Sequence, residues 1–165
     1  GRNTNNAISR PRYNRIEKGR IIQLNLGARV DGYSPSIGIP FCIGKMNARQ
    51  RELAQFGLDA HFKTREWLKA GIVAGEVAKK FEAYFAERGY AANYLYGPCH
   101  GLGLLEVEKP WIETTSTYRL QENMTFQIDT FVRDEEFGLR WETGAVLTRE
   151  GNRLFSDKVR EIVEL

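Results

Sequence analysis

Two apolar, strand-like runs in the second half of the chain each carry an acid among hydrophobic residues. Residues 126–131 read Phe-Gln-Ile-Asp-Thr-Phe, and residues 139–143 read Leu-Arg-Trp-Glu-Thr. The charged stretch 133–136 between them predicts the tip of a hairpin. A carboxylate inside a strand is costly to bury unless it is paired or ligated. The pattern therefore predicts an antiparallel strand pair in which Asp129 and Glu142 face one polar site.

A glycine-rich loop supplies a third candidate for this site. His100 is one of two histidines in the chain and lies among glycines at positions 97, 101 and 103. Glycine permits positive φ and lets another group approach closely. We therefore expect the imidazole to be presented to a cavity, where His100, Asp129 and Glu142 converge. The alternative for each acid is a buried carboxylate paired with Arg140 or with a backbone donor.

The composition is that of an ordinary globular domain. The 165 residues are 42% hydrophobic and 27% charged, which suits one domain with a core of its own. A net charge of +3 without a basic run gives no support for nucleic-acid binding. No apolar run is long enough to cross a membrane. Two isolated cysteines, Cys42 and Cys99, favour a reducing, cytoplasmic setting over a disulfide framework.

The spacing of apolar residues predicts two long helices, over Asn47–Ala70 and Val73–Arg88. Asn47 is placed to cap the first helix and glycines follow both. His61 falls near the polar side of the first helix, so we expect a solvent-exposed side chain. The predicted core consists of Leu24, Leu26, Phe56, Trp67, Phe81, Phe85, Phe126, Ile128 and Trp141.

The remaining segments predict strands and one short helix. Residues 21–26 predict a strand, and residues 33–43 predict an edge or irregular strand because Pro35 and Pro40 lack backbone donors. Residues 90–96 predict a strand leading into the His100 loop. Residues 156–165 predict a short C-terminal helix.

Seven segments along the chain combine glycine turns with strands that carry polar residues. They are Ile16-Glu-Lys-Gly19, Gln23-Leu-Asn-Leu-Gly27, Asp31-Gly-Tyr33, His100-Gly-Leu-Gly103 with Glu108 and Pro110, Asn123 to Asp129, Arg140-Trp-Glu142 and Thr148 to Gly151. In this order the segments resemble the superfamily of creatinase, prolidase and methionine aminopeptidase. The resemblance implies an α+β, pita-bread fold, in which helices pack on the outer face of a curved antiparallel sheet. It also implies that residues 1–165 form a C-terminal, catalytic-like domain that lacks its N-terminal portion.

The departures from the family pattern concern the metal ligands. The family uses two aspartates, one histidine and two glutamates. The motif alignment implies that Asn25, Ser36, His100, Asp129 and Glu142 stand at these positions. A second family histidine corresponds to Val107, and a substrate-side histidine corresponds to a position near Ile8 or Ser9, so both are replaced.

These replacements predict that the chain holds no tightly bound metal. A hydrolytic two-metal site needs bridging carboxylates, and two of the carboxylates are replaced by Asn25 and Ser36. The runner-up is a single divalent ion at His100, Asp129 and Glu142, because three protein ligands suffice for a catalytic metal. Creatinase offers a precedent by resemblance, since it hydrolyses a small C–N bond without a metal.

The resemblance implies a hydrolase of an amide, amidine or dipeptide. In this hypothesis His100, Asp129 and Glu142 are catalytic, and the substrate-binding residues are Asn25, Ser36, Glu108 and Arg140. The partner is then a small molecule or dipeptide, and we expect a homodimer. The alternative is a catalytically inactive binding module that holds a peptide or protein.

Overall fold

The computed structural model describes residues 1–10, 12–159 and 161–165. Within them, eight strands form one sheet in the order β1-β2-β6-β5-β3-β4, with β7 beside β6 and β8 beside β2. Every pairing is antiparallel except that of β2 with β8. The strands are β1 (Ile21–Gly27), β2 (Ser36–Cys42), β3 (Cys99–Gly101), β4 (Glu108–Ile112), β5 (Thr125–Arg133), β6 (Gly138–Leu147), β7 (Asn152–Leu154) and β8 (Val163–Glu164).

Two helices lie close to their predicted positions. They are α1 (Ala48–Trp67) and α2 (Ala74–Glu87). Asn47 caps α1 through a reciprocal capping box: its side chain accepts the Gln50 N–H, and the Gln50 side chain accepts the Asn47 N–H. Two short 3₁₀ helices, Arg2–Asn5 and Ala91–Asn93, complete the elements. Neither α1 nor α2 combines the length and apolar composition that crossing a bilayer requires.

The two faces of the sheet differ in character. We call the side that packs on α1 and α2 the helix face; on β5 it presents the even-numbered residues 126–132, which are buried. We call the opposite side the polar face; on β5 it presents Gln127, Asp129 and Phe131. Strand alternation produces this division because successive side chains point to opposite sides. An antiparallel sheet with two helices on one face confirms the predicted α+β class.

Most of the predicted core is buried on the helix face. Phe81, Phe126, Ile128 and Trp141 are fully buried, and Trp141 donates its indole N–H to the Ala54 carbonyl at 2.9 Å. Trp67 packs against the core while remaining partly exposed.

The prediction was wrong for two leucines on β1. Leu24 is 40% exposed and Leu26 is 57% exposed. Both pair with β2 residues on the helix face, but β1 is the edge strand of the sheet, two strands away from the β5–β6 surface on which α1 packs. The alternation predicted for the strand was therefore correct. The prediction that both leucines are buried was wrong, because β1 lies at the edge of the sheet.

His61 was also predicted wrongly. Its side chain is 1% exposed, because it continues the buried stripe of α1 that runs through Gln50, Ala54 and Gly57. Burial lowers the pKa of His61 to about 4, so the ring is neutral.

Three segments depart from their predicted secondary structure. Residues 33–43 hold β2, which is an interior strand: β1 pairs along one side, while β6 and β8 share the other. Residues 90–96 contain the 3₁₀ helix Ala91–Asn93 rather than a strand. Near the C-terminus, β8 replaces the predicted helix over 156–165, because pairing with Phe41 and Cys42 overrides local preference. Arg160, which belongs to that predicted helix, lies outside the described residues.

Candidate functional site

Strand register brings the three predicted catalytic side chains together on the polar face. On the β5–β6 ladder Asp129 pairs directly with Glu142, and on the adjacent β3–β5 ladder His100 pairs with Gln127. One ligand atom from each of His100, Asp129 and Glu142 lies within 4.8 Å of the others. All three side chains are buried. In the part of the chain that the structure describes, this is the only group of three or more His, Cys, Asp or Glu side chains close enough to share an ion.

The orientation of His100 is fixed by the backbone of its own loop. Its Nδ1 lies 3.0 Å from the Gly101 carbonyl oxygen. Because a carbonyl only accepts, Nδ1 carries the hydrogen in this contact. Nε2 makes no hydrogen bond to any described residue, although the side chain is 7% exposed. The imidazole edge packs against Trp111, with ring centroids 6.0 Å apart.

Asp129 is held by a cation and a phenol. Arg140 Nε lies 3.1 Å from Asp129 Oδ1, and the Tyr96 hydroxyl donates to Oδ2 at 2.9 Å. Arg140 also donates to the Tyr96 hydroxyl. Burial raises the pKa of Asp129, while the guanidinium and the phenol oppose this rise.

The charge of Glu142 is less well compensated by its neighbours than that of Asp129. Its Oε2 accepts the Asn25 amide at 2.8 Å and is 3.7 Å from Arg140 Nη1. Burial, followed by the neighbouring Asp129 carboxylate, raises the pKa of Glu142 to about 8; Arg140 acts in the opposite direction. Glu142 is therefore mostly protonated at neutral pH and is available as a donor.

Arg140 lies inside the cluster rather than at its rim. Its side chain is 11% exposed, and the guanidinium lies 5.8 Å from the Tyr96 ring centroid and 5.9 Å from that of Phe131. Arg140 forms ion pairs with Asp129 and Glu142 and also lines a cavity, and its role in substrate binding stays a prediction. In this structure Arg140 compensates the two acids.

Asn25 and Ser36 lie beside the cluster, as the family alignment implies. The Asn25 amide reaches Glu142, and its Oδ1 accepts from Gln23 Nε2 at 3.0 Å. The Ser36 hydroxyl donates to Glu106 Oε1 at 2.9 Å, which also ties the loop after β3 to β2.

Glycine at position 38 makes this close approach possible. A Cβ added to Gly38 would lie 2.8 Å from Glu142 Cβ and 3.1 Å from its Oε2. The strand β2 therefore approaches β6 closely only because this position lacks a side chain.

Glu108 does not join the cluster. Its Oε2 accepts the Leu105 N–H at 2.9 Å, so the carboxylate folds back on its own loop. Its predicted role in substrate binding therefore has no geometric support.

Two cavities border the cluster. The first has a volume of about 370 Å³ and is lined by His100 and Asp129 together with aromatic side chains. The second has a volume of about 510 Å³ and is lined by Asn25, Ser36 and Arg140, among others. The buried cluster thus meets a different set of groups in each cavity.

Sequence reasoning missed three residues of this environment: Tyr96, Glu106 and Gln127. Gln127 Nε2 donates to the Ser36 carbonyl at 2.6 Å and to its hydroxyl at 3.1 Å. The period of two along β5 places Gln127 on the same face as Asp129, so alternation alone could have identified it. No local pattern identifies Tyr96, because its contact with Arg140 joins residues far apart in sequence.

Comparison with known proteins supplies the decisive observation. The sequence profile of metallopeptidase family M24 matches residues 1–149. The chain belongs to metallopeptidase family M24. This membership agrees with the resemblance inferred from the motifs, and it covers the segments that contribute every residue of the cluster.

Individual relatives of this M24 chain agree in sequence and fold. A curated Xaa-Pro dipeptidase of Pyrococcus horikoshii is 29% identical over 150 residues, which cover 90% of this chain and 43% of that protein. A dipeptidase structure from the same organism superposes with a TM-score of 0.94 at 28% identity, covering 100% of this chain and 47% of that one. A prolidase structure from Thermococcus sibiricus gives a TM-score of 0.94 at 23% identity, covering 100% and 45%, and shows the fold alone.

These comparisons confirm the pita-bread fold. The chain spans about half the length of the curated relatives it matches.

Proposed function

We propose that this M24 chain is a hydrolase that acts on a C–N bond of a small amide, amidine or dipeptide without a two-metal centre. The observation that carries the proposal is the imidazole of His100, which is oriented through Nδ1, has no partner for Nε2 among the described residues, and lines a cavity beside two buried acids. An imidazole presented in this way can exchange a proton with a water or a leaving group.

The donor set argues against a two-metal centre. Two hard cations about 3.5–4 Å apart need bridging carboxylates. Asn25 instead directs an N–H donor at Glu142, and Ser36 donates to Glu106. The guanidinium of Arg140 already neutralises Asp129. A single ion at His100, Asp129 and Glu142 is the competing possibility, since their ligand atoms are within 4.8 Å of one another.

In the proposed reaction His100 Nε2 accepts a proton from water as the water oxygen attacks the carbonyl or amidine carbon. The imidazolium then returns that proton to the leaving nitrogen as the C–N bond breaks, so water is added across the bond. Protonated Glu142 donates a hydrogen bond to the charge that develops on the attacked group. Asp129, paired with Arg140, stabilises the imidazolium.

Acid–base catalysis of this kind contributes about 10²–10⁴-fold. That acceleration suits a small substrate held in place better than an unactivated peptide. We therefore expect negligible Xaa-Pro or methionyl aminopeptidase activity, with or without added manganese or cobalt.

The test is a screen of dipeptides, amidines and cyclic amides with the purified full-length protein. We expect His100→Ala to lower any activity found by about 10²–10⁴-fold, while a chelator leaves the activity of the unmodified protein unchanged. Glu150→Gln serves as a control, because Glu150 is exposed and lines neither cavity. Chelator-sensitive cleavage of Xaa-Pro dipeptides would contradict the proposal and would favour the single ion.

A binding module is the second candidate. It is favoured by the mutual pairing of Arg140, Asp129 and Tyr96, which satisfies the cluster without a substrate. Absence of turnover across the screen, together with retained ligand binding, would select it.

A homodimer and a cytoplasmic location remain predictions. The two cysteines are buried and unpaired, which supports a reducing compartment. Sedimentation analysis of the purified protein would test the homodimer.

A further inference from the structure

The cavity that borders His100 carries an unusual set of side chains. The residues that line it include Glu82, Tyr94, Tyr96, Trp111, Glu113 and Asp129. Counting the described residues, the lining contains three carboxylates and three aromatic rings but no lysine or arginine. The cavity has a volume of about 370 Å³, within the range of sites that hold small molecules.

Two of the carboxylates have no cationic partner among the described residues. Asp129 is paired with Arg140, but neither Glu82 nor Glu113 forms an ion pair with any described residue. Burial, then the charge of Glu82 and its hydrogen bond with Tyr94, and then the charge of Glu113 raise the pKa of Tyr94 to about 12. A cavity with this charge attracts cations and repels anions.

The aromatic lining suits the same kind of ligand. Trp111 is 40% exposed and lines the cavity, with its ring beside that of His100. Tyr94 and Tyr96 line it too. The face of an aromatic ring attracts an ammonium or guanidinium group, and tryptophan does so best.

The lining of the cavity has an exposed part and a buried part. Glu82 and Glu113 are exposed and stand toward solvent, whereas His100 is 7% exposed. The Nε2 of His100 has no hydrogen-bond partner among the described residues, and the His100 side chain lines the cavity, so a ligand or water in the cavity can supply one.

We propose that this cavity binds a small organic cation, an alkylguanidinium or alkylammonium group, held by Glu82 and Glu113 against Trp111. The inference deepens the proposed function by naming the substrate class, and it places the remainder of the ligand beside His100. Binding of the cation does not require turnover, so the two proposals can fail separately.

The probe is n-propylguanidinium, compared with n-propylurea, which has nearly the same shape without the charge, and with butyrate, an anion. Isothermal titration calorimetry on the purified full-length protein measures each affinity, and any change in tryptophan fluorescence that Trp111→Leu abolishes reports on Trp111. We expect the cation to bind at least about tenfold more tightly than the urea, and butyrate to show no binding.

A matched pair of double variants tests the assignment to the two carboxylates. Glu82→Gln/Glu113→Gln removes two charges at the cavity, and we expect a loss of about tenfold or more in affinity for the cation. Glu87→Gln/Glu150→Gln removes the same net charge at exposed positions outside the lining, and we expect no change. Trp111→Leu should weaken binding about fivefold.

Equal affinity for the cation and the urea would overturn the inference, as would an equal loss in the two double variants. A Gly-Arg dipeptide distinguishes the source of the cation: tighter binding of the dipeptide assigns an arginine side chain, and tighter binding of n-propylguanidinium assigns a free small molecule.

Binding as described without any hydrolysis would leave this inference standing and refute the proposed function. His100-dependent hydrolysis without cation binding would do the reverse.

Discussion

The helix face and the polar face of the β5–β6 ladder are built from the same strands and behave as opposites. On the helix face, Ile128, Val132 and Leu139 are fully buried against apolar neighbours. On the polar face, Asp129 and Glu142 are equally buried but lie among charges and hydrogen bonds. Burial on one face stabilises the fold directly; on the other it creates groups whose charge depends on their partners.

The largest loss of stability is expected for a substitution on the helix face. Trp141→Ala should lower the free energy of unfolding by about 3–5 kcal/mol, because it opens a large cavity and leaves the Ala54 carbonyl without its indole donor. Urea unfolding followed by circular dichroism measures this loss. Trp111→Ala is the control, since Trp111 is 40% exposed and should cost far less. A similar cost at both positions would mean that the two faces do not differ in this way.

On the polar face, Arg140→Met should lower the free energy of unfolding by about 3 kcal/mol, because it leaves Asp129 buried without its cation. Loss of the guanidinium should raise the pKa of Asp129 further. A carboxyl with a raised folded-state pKa loses stability as pH rises, so the cost should be larger at pH 8 than at pH 5.

The double variant Arg140→Met/Asp129→Asn provides the matched control. It removes both charges, and we expect it to recover much of the stability and to lose the added pH dependence. A double variant as unstable as the sum of its single variants would show that the pair is not coupled.

The difference between the faces also explains which parts of the structure were predictable. Alternation along 126–131 and 139–143 was sufficient to predict the hairpin, the core on one side and the two acids on the other. The glycines around His100 correctly indicated an imidazole that borders a cavity. These features depend on a short repeat or on local backbone freedom, both of which are visible in sequence.

The predictions that were wrong or missing concern residues whose surroundings are set by long-range contacts. Leu24 and Leu26 have the alternation of core residues, but they lie on the edge strand β1 and are 40% and 57% exposed. His61 was misjudged because the buried side of α1 extends further than its apolar residues indicate. The position of Arg140 between two acids follows from strand register, which one chain without relatives does not reveal.

Glu142 and Glu164 extend the comparison to a single residue type in two environments. Burial and Asp129 raise the pKa of Glu142 to about 8. Glu164 accepts the Met46 N–H at 2.8 Å and Lys45 Nζ at 3.0 Å, and these donors, led by the backbone N–H, lower its pKa to about 2. One glutamate binds its proton more tightly in the folded state, and the other releases it more readily.

The smallest predicted effects are therefore opposite in sign. Glu164 contributes stability above its ordinary pKa of 4.5, and this contribution is lost as pH falls toward 2. Glu142 is favourable below 4.5, and its contribution is lost as pH rises through about 8. Glu164→Gln should lower the thermal midpoint at pH 6 and have no effect near pH 2, whereas Glu142→Gln should remove a loss of stability between about pH 4.5 and 8. Thermal midpoints recorded from pH 2 to 9 test both, and two variant profiles that shift in the same direction would show that burial does not separate these glutamates.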